Sequence, residues 1–336
     1  MLNIFYNPSY FTVLYKKLLI TKQFKYSIFF DLFVKLLYIF NLPYPLRIII
    51  SGPQMRIYHL IKTFRRRKDT VFNKLRYNNT YLVQFDKFGQ EILNEIIKKS
   101  NYKTKVIVGP LYGPEDDKIL NNLMNKHPFI NKIVASESAL NTQDLENQKF
   151  GKNRIIVCPS GIISSEKLSN LNQIKKPEYD CLIYFKKRDT EELVQIKNYL
   201  NAKSLRYKIL EYGNYNQKEI SQYAKNCKFG IIIDKTESQG FAIQELMSLN
   251  LPLIVWDYEI NEFNGQKVKG TSVPWWDDKL CGIKVKSLSD IENNFEKFIS
   301  NIDKYSPIKF VAEHLTYEQF YKNIKNIFNN DSYWDR

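Results

Sequence analysis

Cysteine and histidine are scarce in this sequence of 336 residues. The four cysteines lie far apart, without a CxxC pair or a histidine at metal-ligand spacing. This pattern argues against a zinc site and a disulfide framework, and it favours a reducing compartment. The three histidines, His59, His127 and His314, are each expected to be structural, because none stands in a pattern typical of a catalytic base.

Acidic residues are few relative to basic ones: 35 Asp and Glu against 50 Lys and Arg give a formal net charge of +15. Surplus positive charge favours partners that carry phosphate, such as nucleic acid, anionic lipid or a nucleotide diphosphate. An AT-rich coding sequence would produce the same Lys-rich and Asn-rich bias without any ligand. Hydrophobic residues make up 44% of the chain, as in globular proteins, and two domains of roughly 150 residues each are expected at this length.

Long apolar runs are also rare, and residues 26–42, YSIFFDLFVKLLYIFNL, are the one membrane candidate. This run contains Asp31 and Lys35 and is shorter than the roughly 20 apolar residues of a spanning helix. No secretory signal is expected, because Lys16 and Lys17 follow the first apolar stretch and no cleavage site is visible. The run fits either an interfacial helix on a membrane surface or a helix that packs on a core. We therefore predict a cytoplasmic protein, and in the first case one that is peripheral at a membrane.

Beyond this leader, β-branched runs alternate with helical patterns, which indicates parallel sheets. The predicted fold class is α/β, with two Rossmann-like doubly wound domains and a cleft between them. The first strand is predicted over 46–50, and strands of the second domain over 180–185, 207–211, 229–233 and 252–256. The predicted organisation is a leader over 1–45, an N-terminal domain over 46–164, a polar linker over 165–179, a C-terminal domain over 180–300 and a helical tail over 301–336.

The most informative segment is residues 229–257, FGIIIDKTESQGFAIQELMSLNLPLIVWD. A buried strand ends at Asp234, a loop follows, and a helix that opens near Gly240 carries Glu245 ahead of a second strand. Open α/β sheets bind ligands beyond the carboxyl ends of their strands. The unpaired N–H groups of a helix start suit a phosphate, and Gly240 allows close approach of the backbone.

The stretch ESQGFAIQE resembles the E-x7-E motif of retaining glycosyltransferases such as family 4, which have the GT-B fold. Glu237 and Glu245 have the separation of the motif, and Gly240 and Phe241 match its glycine and apolar positions. Two glutamates at this spacing are common, and the order of strand, acidic loop, helix and Pro-initiated strand gives the match its weight. The resemblance implies that Glu237 lies beside the transferred sugar. It also implies that Glu245 binds the ribose hydroxyls and that Ser238 belongs to the donor site.

Residues 208–223, KILEYGNYNQKEISQY, are similar to the family's strand, glycine loop and helix around the nucleotide base. Gly213 is either the glycine of that loop or an ordinary turn glycine. The family also places an Arg and a Lys after the first strand of its second domain, where this chain has Lys186, Lys187 and Arg188. The resemblance implies that Lys186 binds the donor diphosphate and that Lys187 and Arg188 are catalytic. The family's two cations are about five residues apart, so a solvated charge run stays an alternative.

Three further features of the sequence carry less weight. Gly52, in a turn expected after the first strand, resembles the family's first glycine loop, which lies against donor phosphate. Trp275 and Trp276 are candidates either for stacking on a sugar face or for core packing. The pair Asp277 and Asp278 is not a convincing metal site, because no DxD pattern follows a strand.

The resemblance implies a hexosyltransferase-like enzyme that moves a sugar from a nucleoside diphosphate sugar to an acceptor hydroxyl, with retention, in glycan or polysaccharide synthesis. The C-terminal domain would bind the donor and the N-terminal domain the acceptor. The expected partners are the nucleotide-sugar donor, a glycan or lipid-linked acceptor, and a membrane surface contacted by the leader. No metal, no cofactor and no nucleic acid is expected. Two alternatives stay open: a nucleic-acid-binding module, which the dispersed basic residues speak against, and an inactive scaffold for glycan assembly.

Overall fold

Two parallel sheets, each flanked by helices, form the framework of the chain. The computed structural model describes residues 2–5, 52–64, 67–72, 79–112, 117–141, 154–170, 177–215, 217–263 and 266–334. The elements of the first half are β1 (Leu2–Phe5), α1 (Gly52–Phe64), β2 (Thr70–Phe72), β3 (Thr80–Val83), α2 (Lys87–Lys98), β4 (Lys105–Leu111), α3 (Asp117–Lys126), β5 (Ile130–Val134), α4 (Glu137–Asn141), β6 (Ile155–Val157) and α5 (Ser165–Ser169).

The second half begins at β7 (Tyr179–Lys186). It continues with α6 (Thr190–Ala202), β8 (Tyr207–Glu211), α7 (Gln217–Lys225), β9 (Cys227–Asp234), α8 (Phe241–Ser248), β10 (Leu253–Trp256), β11 (Ile260–Phe263), β12 (Gln266–Lys269), β13 (Gly282–Val285), α9 (Leu288–Ser300), α10 (Pro307–His314) and α11 (Tyr317–Asn329). Strands β11 and β12 form an antiparallel hairpin.

The N-terminal sheet has the order β2-β1-β3-β4-β5-β6, and all its pairings are parallel. Strand β1 lies inside this sheet, with Asn3 opposite Val71 on one side and Tyr81 on the other. The predicted leader is therefore corrected at its start, because Leu2–Phe5 is a buried strand of the domain. Four residues are too few to show a period, which is why the pattern gave no sign of it.

The next predicted elements lie partly outside the described residues. The strand predicted over 46–50 and the amphipathic run over 26–42 both fall there. Gly52 was predicted in a turn, but it is the first residue of α1. Pro53 is compatible with a helix at this position, because the first N–H groups of a helix have no partner within it.

The C-terminal sheet has the order β13-β10-β9-β7-β8, and it is parallel throughout. Its first strand, β7, lies between the second, β8, and the third, β9. The strand order therefore reverses between β7 and β9, and this switch point is where doubly wound sheets bind their ligands. The predicted pair of Rossmann-like α/β domains is confirmed.

Alternate residues of each strand enter different cores. Ile231 and Ile232 are neighbours in β9, yet Ile232 packs with Leu246 of α8 and Ile231 packs with Ile196 of α6. Because both faces of the sheet are covered, its inner strands β9 and β10 have apolar runs instead of an alternating pattern.

Helix α11 follows the C-terminal domain in sequence but packs on the N-terminal one. Its Phe320 and Ile324 share a core with Leu60 and Phe64 of α1, and the rings of Phe64 and Phe320 are 5.9 Å apart. The segment predicted as a helical tail thus supplies part of the N-terminal core. In the described part of the chain, no helix is long and apolar enough to cross a membrane.

Candidate functional site

A cation and two carboxylates meet at the switch point of the C-terminal sheet. Lys186 ends β7 and Asp234 ends β9, and the strand register places them opposite each other. The Lys186 Nζ lies 3.9 Å from Asp234 Oδ2 and forms an ion pair with Glu237 in the loop after β9. The parallel sheet thus unites residues from two distant parts of the sequence at one edge.

Burial governs protonation in this cluster. It lowers the pKa of Lys186, an effect that the negative charge of Asp234 opposes. It also raises the pKa of Asp234 to about 6, although the nearby Lys186 acts in the other direction. Asp234 Oδ1 accepts a hydrogen bond of 2.8 Å from the Lys235 N–H, whereas Oδ2 is buried without a hydrogen bond. A phosphate group that entered the site would compete with Glu237 for the ammonium of Lys186.

Tyr212 and Gly213 follow β8 beside this cluster. The Lys186 Nζ lies 4.6 Å from the centroid of the Tyr212 ring, and half of Tyr212 is exposed. Gly213 has a φ of 91°, which favours glycine, and a Cβ there would meet nothing within 4 Å. The turn thus requires a glycine and leaves space beside its backbone.

The other two consecutive cations have different surroundings. Lys187 is exposed and has a φ of 52°. Arg188 is buried, and its guanidinium donates to both carboxylate oxygens of Glu192, at 2.6 and 2.5 Å. It also donates to the carbonyls of Asp234 and Trp256, both at 2.9 Å. Arg188 therefore ties the ends of β9 and β10 together, and the catalytic roles predicted for these two cations stay predictions.

The predicted helix start is present at α8. Gly240 is its N-cap, with a φ of 78°, and Phe241 is its first residue. Glu245 lies half-buried on this helix. Burial raises the pKa of Tyr215 to about 12, and the charges of Glu245 and Asp234 add to this effect. One tyrosine is thus within electrostatic reach of the second motif glutamate and of the switch-point aspartate.

The loop ahead of α8 also contacts the N-terminal domain. The Ser136 hydroxyl donates to the Ser238 carbonyl at 2.5 Å, and the Ser238 hydroxyl donates to the Tyr112 carbonyl. The Gln239 amide accepts from the Ser160 N–H at 3.0 Å and donates to the Ser160 carbonyl at 2.7 Å. Ser238, predicted as a donor contact, therefore lies at the boundary of the two domains.

His59 packs against the first residue of α8. Its ring stacks on Phe241 with 5.0 Å between centroids, and its Nδ1 lies 3.1 Å from the Tyr317 hydroxyl. Burial lowers the pKa of His59 to about 3, so the ring is neutral at physiological pH. This arrangement agrees with the structural role expected for His59.

Residues 270–276, which we call the strap, connect β12 towards β13 and contact both domains. The Thr271 carbonyl accepts from the Glu237 N–H at 2.9 Å. The Thr271 N–H donates to the Ser138 hydroxyl of α4 at 3.2 Å. The strap thus joins the motif loop of the C-terminal domain to the N-terminal domain.

Both tryptophans of the strap pack partly against the core shared by α8 and α10. The indole N–H of Trp275 donates to the Ala135 carbonyl at 2.8 Å, across the domain boundary. The indole N–H of Trp276 donates to Asp278 at 2.6 Å. The two rings are therefore core-packing residues in this structure, and stacking on a sugar stays a prediction.

Some residues of this site were missed at the sequence level. Asp234 appeared there only as the end of a strand, although a carboxylate that closes a buried apolar run is itself a signal. The ion pair of Arg188 with Glu192 had no local signal, because Arg188 lies ahead of α6, whose N-cap is Asp189. No pattern pointed to Tyr212, because its relation to Lys186 depends on the pairing of β7 with β8.

No protein-family model matches the chain, and no curated protein sequence matches it either. Solved structures with a similar arrangement include the pneumococcal O-GlcNAc transferase GtfA in complex with UDP and GlcNAc. It has 14% identity and a TM-score of 0.46 over 75% of this chain and 57% of GtfA. TarM has 12% identity and a TM-score of 0.45 over 74% of this chain and 54% of its own. The chain thus spans little more than half the length of these two proteins.

The lipopolysaccharide outer core galactosyltransferase WaaB has 14% identity and a TM-score of 0.47, over 84% of this chain and 82% of WaaB. Likeness at this level carries no conclusion about the reaction of this chain. Any assignment of function therefore depends on the chain's own residues.

Proposed function

We propose that the chain is a GT-B glycosyltransferase that moves a sugar from a nucleoside diphosphate sugar to an acceptor hydroxyl. The observation that carries the proposal is the position of Lys186, between Asp234 and Glu237 at the switch point of the C-terminal sheet. The start of α8, with Gly240 as its N-cap, follows the same loop. A cation and a helix N-terminus at a switch point suit a diphosphate.

In this proposal Lys186 binds the donor diphosphate and stabilises the charge that develops on the leaving group. Its ion pair with Glu237 holds the ammonium in place until the donor arrives. The first N–H groups of α8 add a second stabilising element, because Gly240 has no side chain to cap them. Lys187 and Arg188 keep their proposed catalytic roles, with Arg188 acting from its buried position at the strand ends.

The two motif glutamates have separate proposed roles. Glu237 lies beside the sugar, and Glu245 accepts hydrogen bonds from the ribose hydroxyls. Gly213 gives the nucleotide base room near the backbone, which is supported by the space beside its α-carbon. Retention, membership of family 4 and a place in glycan or polysaccharide synthesis rest on the resemblance of the E-x7-E segment. Ser238, Phe241 and Gly52 complete the proposed donor site.

The experiment compares two lysines of the same sheet. Lys186→Gln removes the proposed diphosphate ligand, whereas Lys228→Gln removes an exposed lysine that pairs with Asp180 at 2.7 Å near the start of β9. Nucleoside diphosphates and their sugars are tested by calorimetry on wild type and both variants. We expect wild type and Lys228→Gln to bind alike and Lys186→Gln to lose about tenfold or more, because a charge-assisted hydrogen bond is worth about 1.5–3 kcal/mol.

Two results would contradict the proposal. One is the absence of binding by wild type across a panel that covers uridine, guanosine, adenosine and thymidine diphosphate sugars. The other is equal binding by Lys186→Gln and Lys228→Gln. The nucleic-acid alternative predicts instead oligonucleotide binding whose affinity falls steeply as salt rises.

The acceptor and the membrane contact are proposed separately. A glycan or lipid-linked acceptor would enter from the N-terminal domain, and the leader would contact anionic lipid. Co-sedimentation with vesicles that contain anionic lipid, for the full chain and a variant without residues 6–45, tests the second part. Equal binding by both would remove the leader from the proposal.

A further inference from the structure

Asp257 is a buried carboxylate just after β10 that the proposed chemistry does not use. Its Oδ1 accepts from the Ser272 N–H at 2.8 Å and from the Ser272 hydroxyl at 3.2 Å. Its Oδ2 accepts from the Thr271 hydroxyl. Both oxygens are therefore engaged by the strap, in hydrogen bonds that the carboxylate charge strengthens.

The strap residues held by Asp257 in turn hold the motif loop. The Thr271 carbonyl accepts from the Glu237 N–H at 2.9 Å, and the Thr236 hydroxyl lies 3.4 Å from the same carbonyl. The Ser272 carbonyl lies only 3.3 Å from the place where a Cβ on Gly240 would be. The strap thus lies against the loop at both Glu237 and the N-cap of α8.

The same strap is bonded to α4 of the N-terminal domain. The Thr271 N–H donates to the Ser138 hydroxyl at 3.2 Å. One turn further on, the Asn141 amide donates to the Lys269 carbonyl at 3.1 Å, just ahead of the strap. Thr271 is therefore bonded to Asp257 by its side chain, to Glu237 by its carbonyl and to Ser138 by its N–H.

We propose that Asp257 is a positioning residue, which fixes Thr271 and through it sets the backbone of Glu237 and couples that backbone to the N-terminal domain. Asp257 acts through the strap, and the donor is contacted by the loop that the strap holds. The structural link stands by itself, and its effect on turnover rests on the glycosyltransferase proposal above. Loss of Asp257 should leave Glu237 present but poorly held, which lowers the rate of transfer more than donor binding.

Four variants test the link. Asp257→Asn keeps the shape but weakens the acceptor, and Thr271→Val removes the hydroxyl that donates to Asp257. Thr271→Ser restores that hydroxyl. Asp277→Asn is the matched control, because Asp277 also accepts from backbone N–H groups, those of Lys279 and Leu280 at 2.8 and 2.9 Å.

The first readout is amide hydrogen exchange over residues 235–241 in the full-length protein. We expect this segment to exchange about tenfold faster in Asp257→Asn and Thr271→Val, because a net loss of about 1.4 kcal/mol in hydrogen bonding is tenfold in an opening equilibrium. Thr271→Ser and Asp277→Asn should match wild type. Unchanged exchange in Thr271→Val, or a change of equal size in Asp277→Asn, overturns the proposal.

The second readout separates positioning from general stability. With a donor that wild type accepts, Thr271→Val should lower kcat about tenfold with little change in donor KM, and Thr271→Ser should restore kcat. A loss of donor affinity without a loss of kcat would overturn the positioning role. If wild type neither binds nor transfers from any nucleotide sugar, the glycosyltransferase proposal fails, and the exchange experiment still decides whether Asp257 holds Glu237.

Discussion

At the scale of single residues, the site contains two carboxylates and one ammonium, so its charges are unequal. Asp234 and Glu237 face one ammonium, that of Lys186, in surroundings that are largely closed to water. The arrangement is neutral only when one carboxylate is protonated or displaced. Burial favours the protonated form of Asp234 and raises its pKa to about 6. A diphosphate that takes the place of Glu237 at Lys186 would leave Glu237 free to face the sugar.

Two glutamate variants should fail in different ways. Glu245→Gln should mainly weaken donor binding, by about 1.5–3 kcal/mol, because the ribose hydroxyls lose a charged acceptor. Glu237→Gln should mainly lower kcat, because its carboxylate lies beside the sugar whose charge changes in the transition state. Calorimetry for binding and initial rates for turnover distinguish the two. Wild-type affinity and rate in both variants would contradict the roles that the E-x7-E resemblance gives to these two glutamates.

Asp234 should also make stability depend on pH. Its pKa rises from 3.8 when unfolded to about 6 when folded, so the native state holds its proton more tightly. The contribution of Asp234 to the unfolding free energy should therefore fall by up to about 3 kcal/mol as pH rises from 3.8 to about 6. Above that pH the contribution should stay level. Asp234→Asn removes this contribution. Relative to wild type, the variant should gain stability as pH rises from 4 to 7, as measured by urea unfolding.

His59 provides the control for this experiment, because its effect has the opposite sign. Its pKa falls from 6.5 to about 3 in the folded protein, so stability from this group is lost as pH falls below 6.5. His59→Gln should therefore lose stability less than wild type on acidification. If the unfolding free energies of both variants change with pH in parallel with wild type, neither Asp234 nor His59 causes the pH dependence of stability.

At the scale of elements, the start of α8 shows how backbone geometry fixes the site. Gly240 has a φ of 78° and Gly213 a φ of 91°, both in the left-handed region that costs other residues energy. A Cβ would lie 3.3 Å from Ser272 O at Gly240, but at Gly213 it would meet nothing within 4 Å. The two glycines thus share a backbone constraint and differ in their surroundings.

Alanine at either glycine should lower the unfolding free energy by a similar amount, about 1–2 kcal/mol, because the backbone cost is common to both. Gly240→Ala should lose slightly more, since its new methyl group approaches the strap. Denaturant unfolding of both variants measures this. A neutral Gly240→Ala would mean that α8 can begin with a different backbone conformation.

Strands of the C-terminal sheet were largely predictable from the sequence. Strand β8 occupies the predicted residues 207–211, and β9 extends the predicted 229–233 to Cys227–Asp234. Strand β9 is buried on both faces, so its apolar run is long and visible, whereas β8 lies at the edge of the sheet and is only partly buried. The hairpin of β11 and β12 was not predicted, because INEF and QKVK are stabilised by pairing with each other and have little apolar character.

Parts of the candidate site were also predictable, for a related reason. Lys186 ends β7, Glu237 and Gly240 lie between β9 and α8, and strand ends of one parallel sheet must lie at one edge. The environment of each side chain was not predictable. Arg188 is buried by contacts with Glu192, Asp234 and Trp256, and these depend on the packing of α6 and β10 that no local pattern encodes.

At the scale of the whole molecule, buried polar contacts are among those that join the two domains in the described part of the chain. The pair of bonds between Gln239 and Ser160 is the most enclosed of those described above, since both residues are buried. Replacing the amide would leave the N–H and carbonyl of Ser160 without partners, which costs about 1–3 kcal/mol if they stay buried. If the domains move apart, water can form hydrogen bonds with these two groups of Ser160.

Gln239→Ala should therefore shift the molecule towards a more open arrangement. We expect a larger radius of gyration by small-angle X-ray scattering, with each domain still folded by circular dichroism. Gln319→Ala is the control, because the Gln319 amide bonds to Asn323 within α11, at 2.9 Å. An unchanged radius for Gln239→Ala would show that the apolar and strap contacts suffice to hold the domains.

The packing of α11 beside α1 has a consequence for the order in which the protein is made. Strand β1 leaves the ribosome long before Phe320 and Ile324, which share the core around Leu60 and Phe64. At a synthesis rate of about 5–20 residues per second, the interval is roughly 15–60 s. Once β6 has emerged, the face of the N-terminal sheet that α11 will cover stays open to chaperones for the rest of that time, while the C-terminal domain emerges and can fold first. The domain that is translated first is therefore the one that is completed last.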